Sequence, residues 1–373
     1  MRLLHLAKYA HPERGGMETF IRDLTVEQAR QGHTVTVLCH QAACLRPTVA
    51  ERADGVEIIR CATLCTAAFA PLSPGFALRL RDVIRQQRPE VIHLHLPNPA
   101  VLFHSLLPRH TPLVVHWHAD VQGSSNGLIR TLYQAYRLFE QRCLARTDRI
   151  VATSPDYLES SPSLRPWPDK CAVVPLGLDT DRYPEGNADR PHRPLVLGVG
   201  RLAFYKGFKY LVRAAALVPE ADFVIAGRGP ERRAIEGEIS RQGLEERVSL
   251  PGEISDTELR RYLQTASLFC LPSIDRGEAF GVTLLEAMRY GLPLVTTAIP
   301  GSGTSWVNRD NVTGRVVAPF DPEGLAKAIR DILHNPGTAQ RYGKAGRERL
   351  ENNFRIDKTA TAIKTIYEAA GAR

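Results

Sequence analysis

Residues 268–297 hold the chain to one class of fold. Leu268–Leu271 is a short apolar run, and a polar loop with Asp275, Arg276, Gly277 and Glu278 follows it. Val282–Tyr290 then places Leu284, Leu285 and Met288 on one side of a helix, which Gly291 and Pro293 stop. A second apolar run begins at Leu294–Thr297. Strand, loop, helix and strand in that order belong to a parallel α/β sheet, with a helix N-terminus at the end of a strand. The first N–H groups of that helix, near Phe280, Gly281, Val282 and Thr283, are placed to cradle an anion with help from the helix dipole. Glu278 stands just before the helix and Glu286 inside it. That is an unfavourable place for carboxylates unless they bind something polar, and sugar hydroxyls fit. For either residue alone, a solvated surface glutamate is the competing reading.

The same alternation runs along the whole chain. Residues 3–7 read as a buried parallel strand. The loop 8–16 ends in Gly15-Gly16, and a helix follows with Met17, Phe20, Ile21 and Leu24 on one face. Gly32 ends that helix and Thr34–His40 is the next strand. The double glycine does not match Gly-x-Gly-x-x-Gly, so a dinucleotide site loses its main support. Paired glycines still let a ligand approach the backbone, or they form a tight turn and nothing more. Further strands are expected at 56–60, 91–96, 113–118 and 149–153, and helices at 76–88, 100–107 and 128–146. Residues 61–75 read as a loop and 123–127 as a small polar one.

Residues 154–194 are rich in proline and charge, and the domain boundary falls within them. A second strand–helix series starts at Leu195–Gly200. Its first turn reads Arg201-Leu-Ala-Phe-Tyr-Lys206-Gly207, where Arg201 and Lys206 frame a place for a diphosphate. Strands at 223–226, 248–250, 268–271, 294–297 and 314–317 follow. Helices at 208–217, 256–265, 321–334, 338–351 and 357–369 complete the series.

Two His-x-His pairs, His93/His95 and His116/His118, close two of the strands. Residues i and i+2 of a strand face one side, so each pair can converge. No cysteine or carboxylate completes a set at metal-ligand spacing, which disfavours zinc. His118, at a strand end, reads as a polar contact of the ligand cleft. Asp179-x-Asp181 matches a metal–diphosphate pair formally, but it sits in a linker and is discounted.

The 373 residues exceed one ordinary core, and two domains are expected. With 43% hydrophobic and 24% charged residues, the composition is that of a soluble globular protein. No apolar run approaches the ~20 residues that span a bilayer. The N-terminus reads as the first strand rather than a secretory leader. Seven irregularly spaced cysteines fit reduced, mostly core residues and a cytoplasmic location.

The net charge of +8 gathers in two stretches. One is Arg79, Arg81, Arg85 and Arg88; the other is Arg130, Arg137, Arg142, Arg146 and Arg149. Apolar residues such as Leu128, Leu132, Tyr136 and Phe139 interleave with the second. Peripheral contact with an anionic membrane and an ordinary solvated helix face are equal readings. Nucleic acid is disfavoured, because no binding module accompanies the charge.

These residues carry a resemblance over nearly the whole length. Gly15-Gly16…Glu18 and His116-Trp117-His118 are two of its motifs, and Val174-Pro175-Leu176-Gly177-Leu178-Asp179 is a third, with Leu176 where Asn is usual. Gly200-Arg201-Leu202…Lys206-Gly207 and Glu278-Ala279-Phe280-Gly281…Glu286-Ala287-Met288 complete the set, with Ala279 where Gly is commoner. Together they are similar to the retaining glycosyltransferases of family 4. The resemblance implies an α/β GT-B fold: two Rossmann-like domains facing each other across a cleft, with the C-terminal helix crossing back to the N-terminal domain. Residues 1–176 plus 355–373 would form the acceptor-binding domain and 177–354 the nucleotide-sugar domain.

It also implies roles. Arg201 and Lys206 would bind the donor diphosphate, Glu286 the ribose, and Glu278 hydroxyls of the transferred sugar. His118 would contact the sugar near its reacting carbon, and Gly15 and Gly16 would admit sugar and phosphate. Ile254 and the Gly227–Gly229 turn, with Gly229, would neighbour the base. The expected reaction moves a mannosyl-, rhamnosyl- or glucosyl-type group from a GDP- or UDP-linked sugar to a glycan or lipid-linked acceptor in cell-surface polysaccharide synthesis. No metal or other cofactor is expected. A sugar-nucleotide epimerase, a nicotinamide-dependent oxidoreductase and a non-catalytic membrane-surface scaffold are the rival readings.

Overall fold

A computed structural model describes residues 1–67, 70–121, 127–186 and 191–372, with the backbone alone for 127–132. Most of the loop 123–127, the side chains of Leu128, Arg130 and Leu132, and part of the linker 154–194 lie outside the described residues. The chain divides into two compact units, Met1–Gly177 with Ile356–Arg373, and Leu178–Arg355.

The first unit carries β1 (Arg2–Leu6), β2 (Thr34–His40), β3 (Val49–Ala53), β4 (Val56–Cys61), β5 (Cys65–Ala67) and β6 (Ala70–Leu72). It continues with β7 (Val91–Leu96), β8 (Leu113–Trp117), β9 (Arg149–Ala152) and β10 (Cys171–Val173). Among the described residues, eight of these form one sheet in the order β10-β9-β8-β7-β1-β2-β4-β3, parallel except for the β3–β4 pair. β1, β7 and β8 are buried almost throughout, as a parallel sheet covered on both faces requires. The chain leaves β1 for β2 on one side and later for β7 on the other. The crevice beyond the C-terminal ends of β1 and β7 is therefore the topological switch point, where open α/β sheets bind ligands.

The second unit holds β11 (Leu195–Val199), β12 (Asp222–Ala226), β13 (Val248–Gly252), β14 (Leu268–Leu271), β15 (Leu294–Thr297) and β16 (Gly314–Val317). They make an all-parallel sheet in the order β13-β12-β11-β14-β15-β16. Its switch point lies between β11 and β14. Phe208, Leu211 and Val212 of the helix Phe208–Ala216 join Val196 and Ile225 of the sheet in one core, which Leu325, Ile329 and Ile332 of the helix Pro322–Leu333 extend.

The last helix, Ile356–Ala369, belongs to the first unit. It packs against the helix Gly16–Arg30; Gln28 Nε2 donates to Tyr367 Oη at 3.0 Å and the Thr359 hydroxyl to the Pro175 carbonyl at 3.1 Å.

Two expectations need correction, on residues 61–75 and 99–106, and the structure adds two details, on β3 and on the cysteines. Residues 61–75 contain the β5–β6 hairpin rather than a plain loop. The strand β3 has every residue exposed, so no apolar pattern announces it. The segment Pro99–Leu106 is a 3₁₀ helix, started by Asn98, whose side chain accepts the Ala100 amide at 2.9 Å. Cys44 and Cys65 are exposed rather than core, whereas Cys39, Cys61, Cys143 and Cys270 are buried thiols.

Candidate functional site

In the second unit, the turn after β11 and the loop after β14 meet at the switch point. The Ile274 amide donates to the Tyr205 carbonyl at 2.7 Å. Gly207 sits at φ 66°, and a Cβ there would stand 2.1 Å from the Pro272 carbonyl oxygen, so only glycine allows this approach. The consequence is an ion pair: Lys206 Nζ lies 2.5 Å from Glu278 Oε2. Ser273 donates to the same carboxylate oxygen at 2.9 Å. Burial works against the charge on Lys206, but the Glu278 carboxylate beside it holds the ammonium above its ordinary range. Arg201, at the mouth of the same turn, is exposed.

The loop carrying Glu278 is stapled from its far side. Asp275 accepts the Gly277 amide at 2.7 Å, the Gly303 amide donates to the Ala279 carbonyl at 2.8 Å, and the Ser302 hydroxyl donates to the Glu278 carbonyl. Ala279 is not among the residues of positive φ, so its methyl costs no backbone strain. Gly281 begins the helix Val282–Arg289 at φ 86°, with no side-chain cap, which leaves the first amides of the helix for another acceptor. Phe280, Gly281 and Val282 are buried around that turn. Within the helix, Glu286 Oε1 accepts the Tyr183 hydroxyl at 2.7 Å.

Opposite β14, the turn after β12 comes close to that after β11. A Cβ on Gly229 would lie 2.2 Å from the Leu202 carbonyl oxygen. Ile254, two residues beyond β13, is buried, and Arg228 pairs with Glu253 at 3.1 Å. Asp179 accepts the Asp181 amide at 3.1 Å and caps a short 3₁₀ turn, a local structural use of that pair.

In the first unit, Gly15 caps the helix Gly16–Arg30 in extended conformation, and the space of its missing Cβ is taken by the Glu18 carboxylate, 2.2 Å away. Gly16 is exposed. His118 directly follows β8 and is buried; its Nε2 lies 3.0 Å from His95 Nδ1. The two His-x-His pairs are one cluster, which His5 of β1 joins.

The structure thus joins Lys206 to Glu278, a contact between two residues to which the sequence assigned different ligands. Sequence reasoning missed Tyr183 and Ser273, which hold the two glutamates; neither carries a motif, so only proximity identifies them.

The basic stretches divide. Arg79, Arg81, Arg85 and Arg88 are exposed, as are Arg137 and Arg142, with Leu78 65% and Leu138 62% accessible beside them. Arg146 does not belong to that face. Its guanidinium donates to the His104, Leu107 and Pro108 carbonyls and ties the helix to the preceding loop. Among the described residues, no helix is long and apolar enough to cross a membrane.

Residues 14–182 match the family described as Glycosyltransferase Family 4, and residues 179–349 match Glycosyl transferases group 1. O-antigen chain mannosyltransferase C of Escherichia coli is 31% identical over 375 residues, covering 98% of each chain. D-rhamnosyltransferase WbpZ of Pseudomonas aeruginosa is 32% identical over 367 residues, covering 95% of this chain and 92% of the relative. Sucrose-phosphate synthase from Thermosynechococcus elongatus has a similar solved structure, with a TM-score of 0.80 at 22% identity and 98% coverage of both chains. WaaG, a glycosyltransferase involved in lipopolysaccharide biosynthesis, gives a TM-score of 0.75 at 19% identity, covering 98% of this chain and 99% of its own. At these identities the structural likeness speaks for the fold.

Proposed function

The chain belongs to the family 4 glycosyltransferases of GT-B fold, and from that premise we propose that it is a retaining, metal-independent hexosyltransferase. The transferred group is mannosyl-, rhamnosyl- or glucosyl-type, the donor is GDP- or UDP-linked, and the acceptor is a glycan or lipid-linked oligosaccharide of the cell surface. The E. coli and P. aeruginosa relatives, named for mannosyl and rhamnosyl transfer, support that class of sugar.

The buried Lys206–Glu278 pair at the switch point carries this reading. Transfer breaks the anomeric C–O bond and leaves negative charge on the departing diphosphate oxygen. Lys206, kept cationic by its neighbour, supplies a preformed positive charge for that oxygen, with Arg201 and the uncapped amides at Gly281–Thr283. Glu278, once its lysine turns to phosphate, accepts hydroxyls of the transferred sugar. Glu286, steadied by Tyr183, accepts those of the ribose. Gly229 and Ile254 bound the base. In a same-face mechanism the leaving phosphate takes the acceptor's proton, so retention needs no protein nucleophile. Contact with an anionic membrane surface through Arg79, Arg81, Arg85, Arg137 and Arg142 would bring a lipid-linked acceptor within reach.

A thermal-shift panel of UDP, GDP and ADP tests the donor, since only the matching nucleotide stabilises strongly, by mass action. Assay in chelator and NMR of the product anomer test metal independence and retention. Donor conversion without any acceptor would instead favour the epimerase.

A further inference from the structure

The first unit has a cationic cavity at the edge of its sheet opposite the crevice. The 3₁₀ segment Pro99–Leu106 leads through a loop to Leu113, the first residue of β8, and the helix Gly127–Arg146 leads to Arg149, the first of β9. Both connections therefore meet at the amino ends of paired parallel strands, and the helix packs on the 3₁₀ segment. The cavity holds about 480 Å³, and Ser105, Arg109, Thr111, Arg142, Arg146 and Asp148 are among the residues that line it.

Three guanidinium groups share that lining with one carboxylate. Asp148 is already engaged, because its Oδ2 accepts the Leu113 amide at 2.8 Å. Arg146 is engaged too. Its guanidinium donates to the His104 carbonyl, to that of Leu107 at 2.7 Å and to that of Pro108 at 2.8 Å. Arg109 and Arg142 are exposed, and among the described residues neither forms an ion pair. Burial holds the Arg146 pKa below its ordinary range, and repulsion from the Arg109 guanidinium adds to the effect. Like charges gathered this way repel, and an anion beside them offsets the repulsion.

The helix dipole does not account for the cluster. A cation near the last turn is favoured, which covers Arg142 and Arg146. Lys170 already serves that end, however: its Nζ donates to the Leu144, Ala145 and Thr147 carbonyls at 3.3, 2.6 and 2.7 Å. Arg109 belongs to no helix. The donors suit one class of anion. Guanidinium N–H pairs match phosphate oxygens, and the Ser105 and Thr111 hydroxyls can donate beside them. The volume exceeds that of a bare phosphate and leaves room for a small esterified group. Apolar side chains are exposed nearby. Leu138 stands one helical turn before Arg142, and the Phe139 ring lies 6.5 Å from that of His104, which also lines the cavity.

We infer that this cavity binds the phosphate of a phosphate ester through Arg109 and Arg142, at a site separate from the donor site of the second unit. The ester is a soluble one or the headgroup of an anionic lipid, and the chemistry recognised is the same. Only the lipid source draws on the proposed membrane contact. Neither source draws on the roles of Lys206 and Glu278.

Two probes test the site on the full chain: glycerol 3-phosphate by titration calorimetry, and vesicles of phosphatidylcholine with phosphatidic acid by co-sedimentation. Saturable binding of at least one probe is expected. Arg109→Gln or Arg142→Gln should weaken it about tenfold, and the pair about a hundredfold, the loss of one and two charged hydrogen bonds. Both side chains are exposed, so the variants should keep the wild-type melting temperature. Glycerol phosphate alone assigns a soluble ester and vesicles alone a lipid, and either upholds the inference. Arg79→Gln with Arg81→Gln removes equal charge from another helix. Vesicle binding that falls equally in both pairs, with no binding of glycerol phosphate, reports diffuse charge and overturns the site. So does binding of neither probe. Binding lost in Lys206→Met with Glu278→Leu but kept in the arginine variants belongs to the donor site, and overturns it as well. Arginine-dependent binding by a chain without transferase activity would uphold this site and remove the proposed function.

Discussion

Lys206 Nζ and Glu278 Oε2 stand 2.5 Å apart with both side chains 9% exposed, an ion pair between the loops that follow β11 and β14. Two charges withdrawn from water are costly unless each serves the other, and a pair held this way answers for both stability and chemistry.

Removing one partner separates those roles. Lys206→Ala or Glu278→Ala leaves a buried charge alone and should destabilise the second unit by about 3–5 kcal/mol. The double variant Lys206→Met with Glu278→Leu should recover most of that stability, because no lone charge remains. Turnover should stay depressed by about 10²-fold or more in all three: the variants without Lys206 lose the charge opposite the leaving oxygen, and Glu278→Ala loses the acceptor of the sugar hydroxyls. Thermal unfolding beside steady-state assay checks this, and a folded variant with wild-type turnover would falsify the site.

Tyr183→Phe removes the hydroxyl that donates to Glu286 Oε1. A buried carboxylate oxygen loses a partner at a cost of about 1–3 kcal/mol. If Glu286 holds the ribose, donor KM should rise more than kcat falls, and the shift in melting temperature given by the matching nucleotide should shrink. Unchanged nucleotide affinity would remove Glu286 from the donor site.

Glu140 supplies a pH signature in the first unit. Its Oε1 accepts the Ser163 hydroxyl at 3.0 Å while Oε2 has no partner. Burial pushes the carboxyl up to about 7, against the opposing pull of Ser163. The folded state therefore holds this proton more tightly than the unfolded chain. The stability it contributes is complete below about pH 4.5 and is lost as pH rises to about 7. Glu140→Gln should match the wild type near pH 4.5 and exceed it by up to about 3 kcal/mol at pH 8. Calorimetry at the two pH values decides; equal melting temperatures at pH 8 would refute the assignment.

Two glycines should respond in opposite directions to alanine. At Gly229 the new methyl would meet the Leu202 carbonyl oxygen at 2.2 Å, and backbone cannot give way as a flexible side chain does. A loss of about 1–3 kcal/mol and weaker nucleotide binding are expected. At Gly237, inside the helix Arg232–Gln242, nothing lies within 4 Å of the new atom. That substitution should gain about 0.5–1 kcal/mol from helix propensity alone.

What could be read from the chain follows from how local each signal is. The bounds expected for β2, β7, β14, β15 and β16 coincide with those observed, because short runs rich in apolar and β-branched residues stand between turn residues. β3 was illegible, since its exposed residues have no buried face to write a pattern. The helix start at Gly281 and the turn at Gly207 were legible as glycine beside a helix pattern. Tyr183 was not, because 103 residues separate it from the glutamate it holds. The histidines show the same limit. Each i, i+2 pair was visible, but their union with His5, Gln28 and Tyr367 depends on which strands and helices are neighbours.

The sequence alone determined the succession of strand and helix, the glycine turns at the strand ends, and the residue types gathered there, since apolar period and backbone permissiveness act over a few residues. Tertiary structure alone decided that β11 adjoins β14 and β1 adjoins β7, and so which side chains meet. Lys206 finds Glu278, and His95 joins His5 to His118, because sheet order rewards burial across the whole unit and leaves no mark within any one segment.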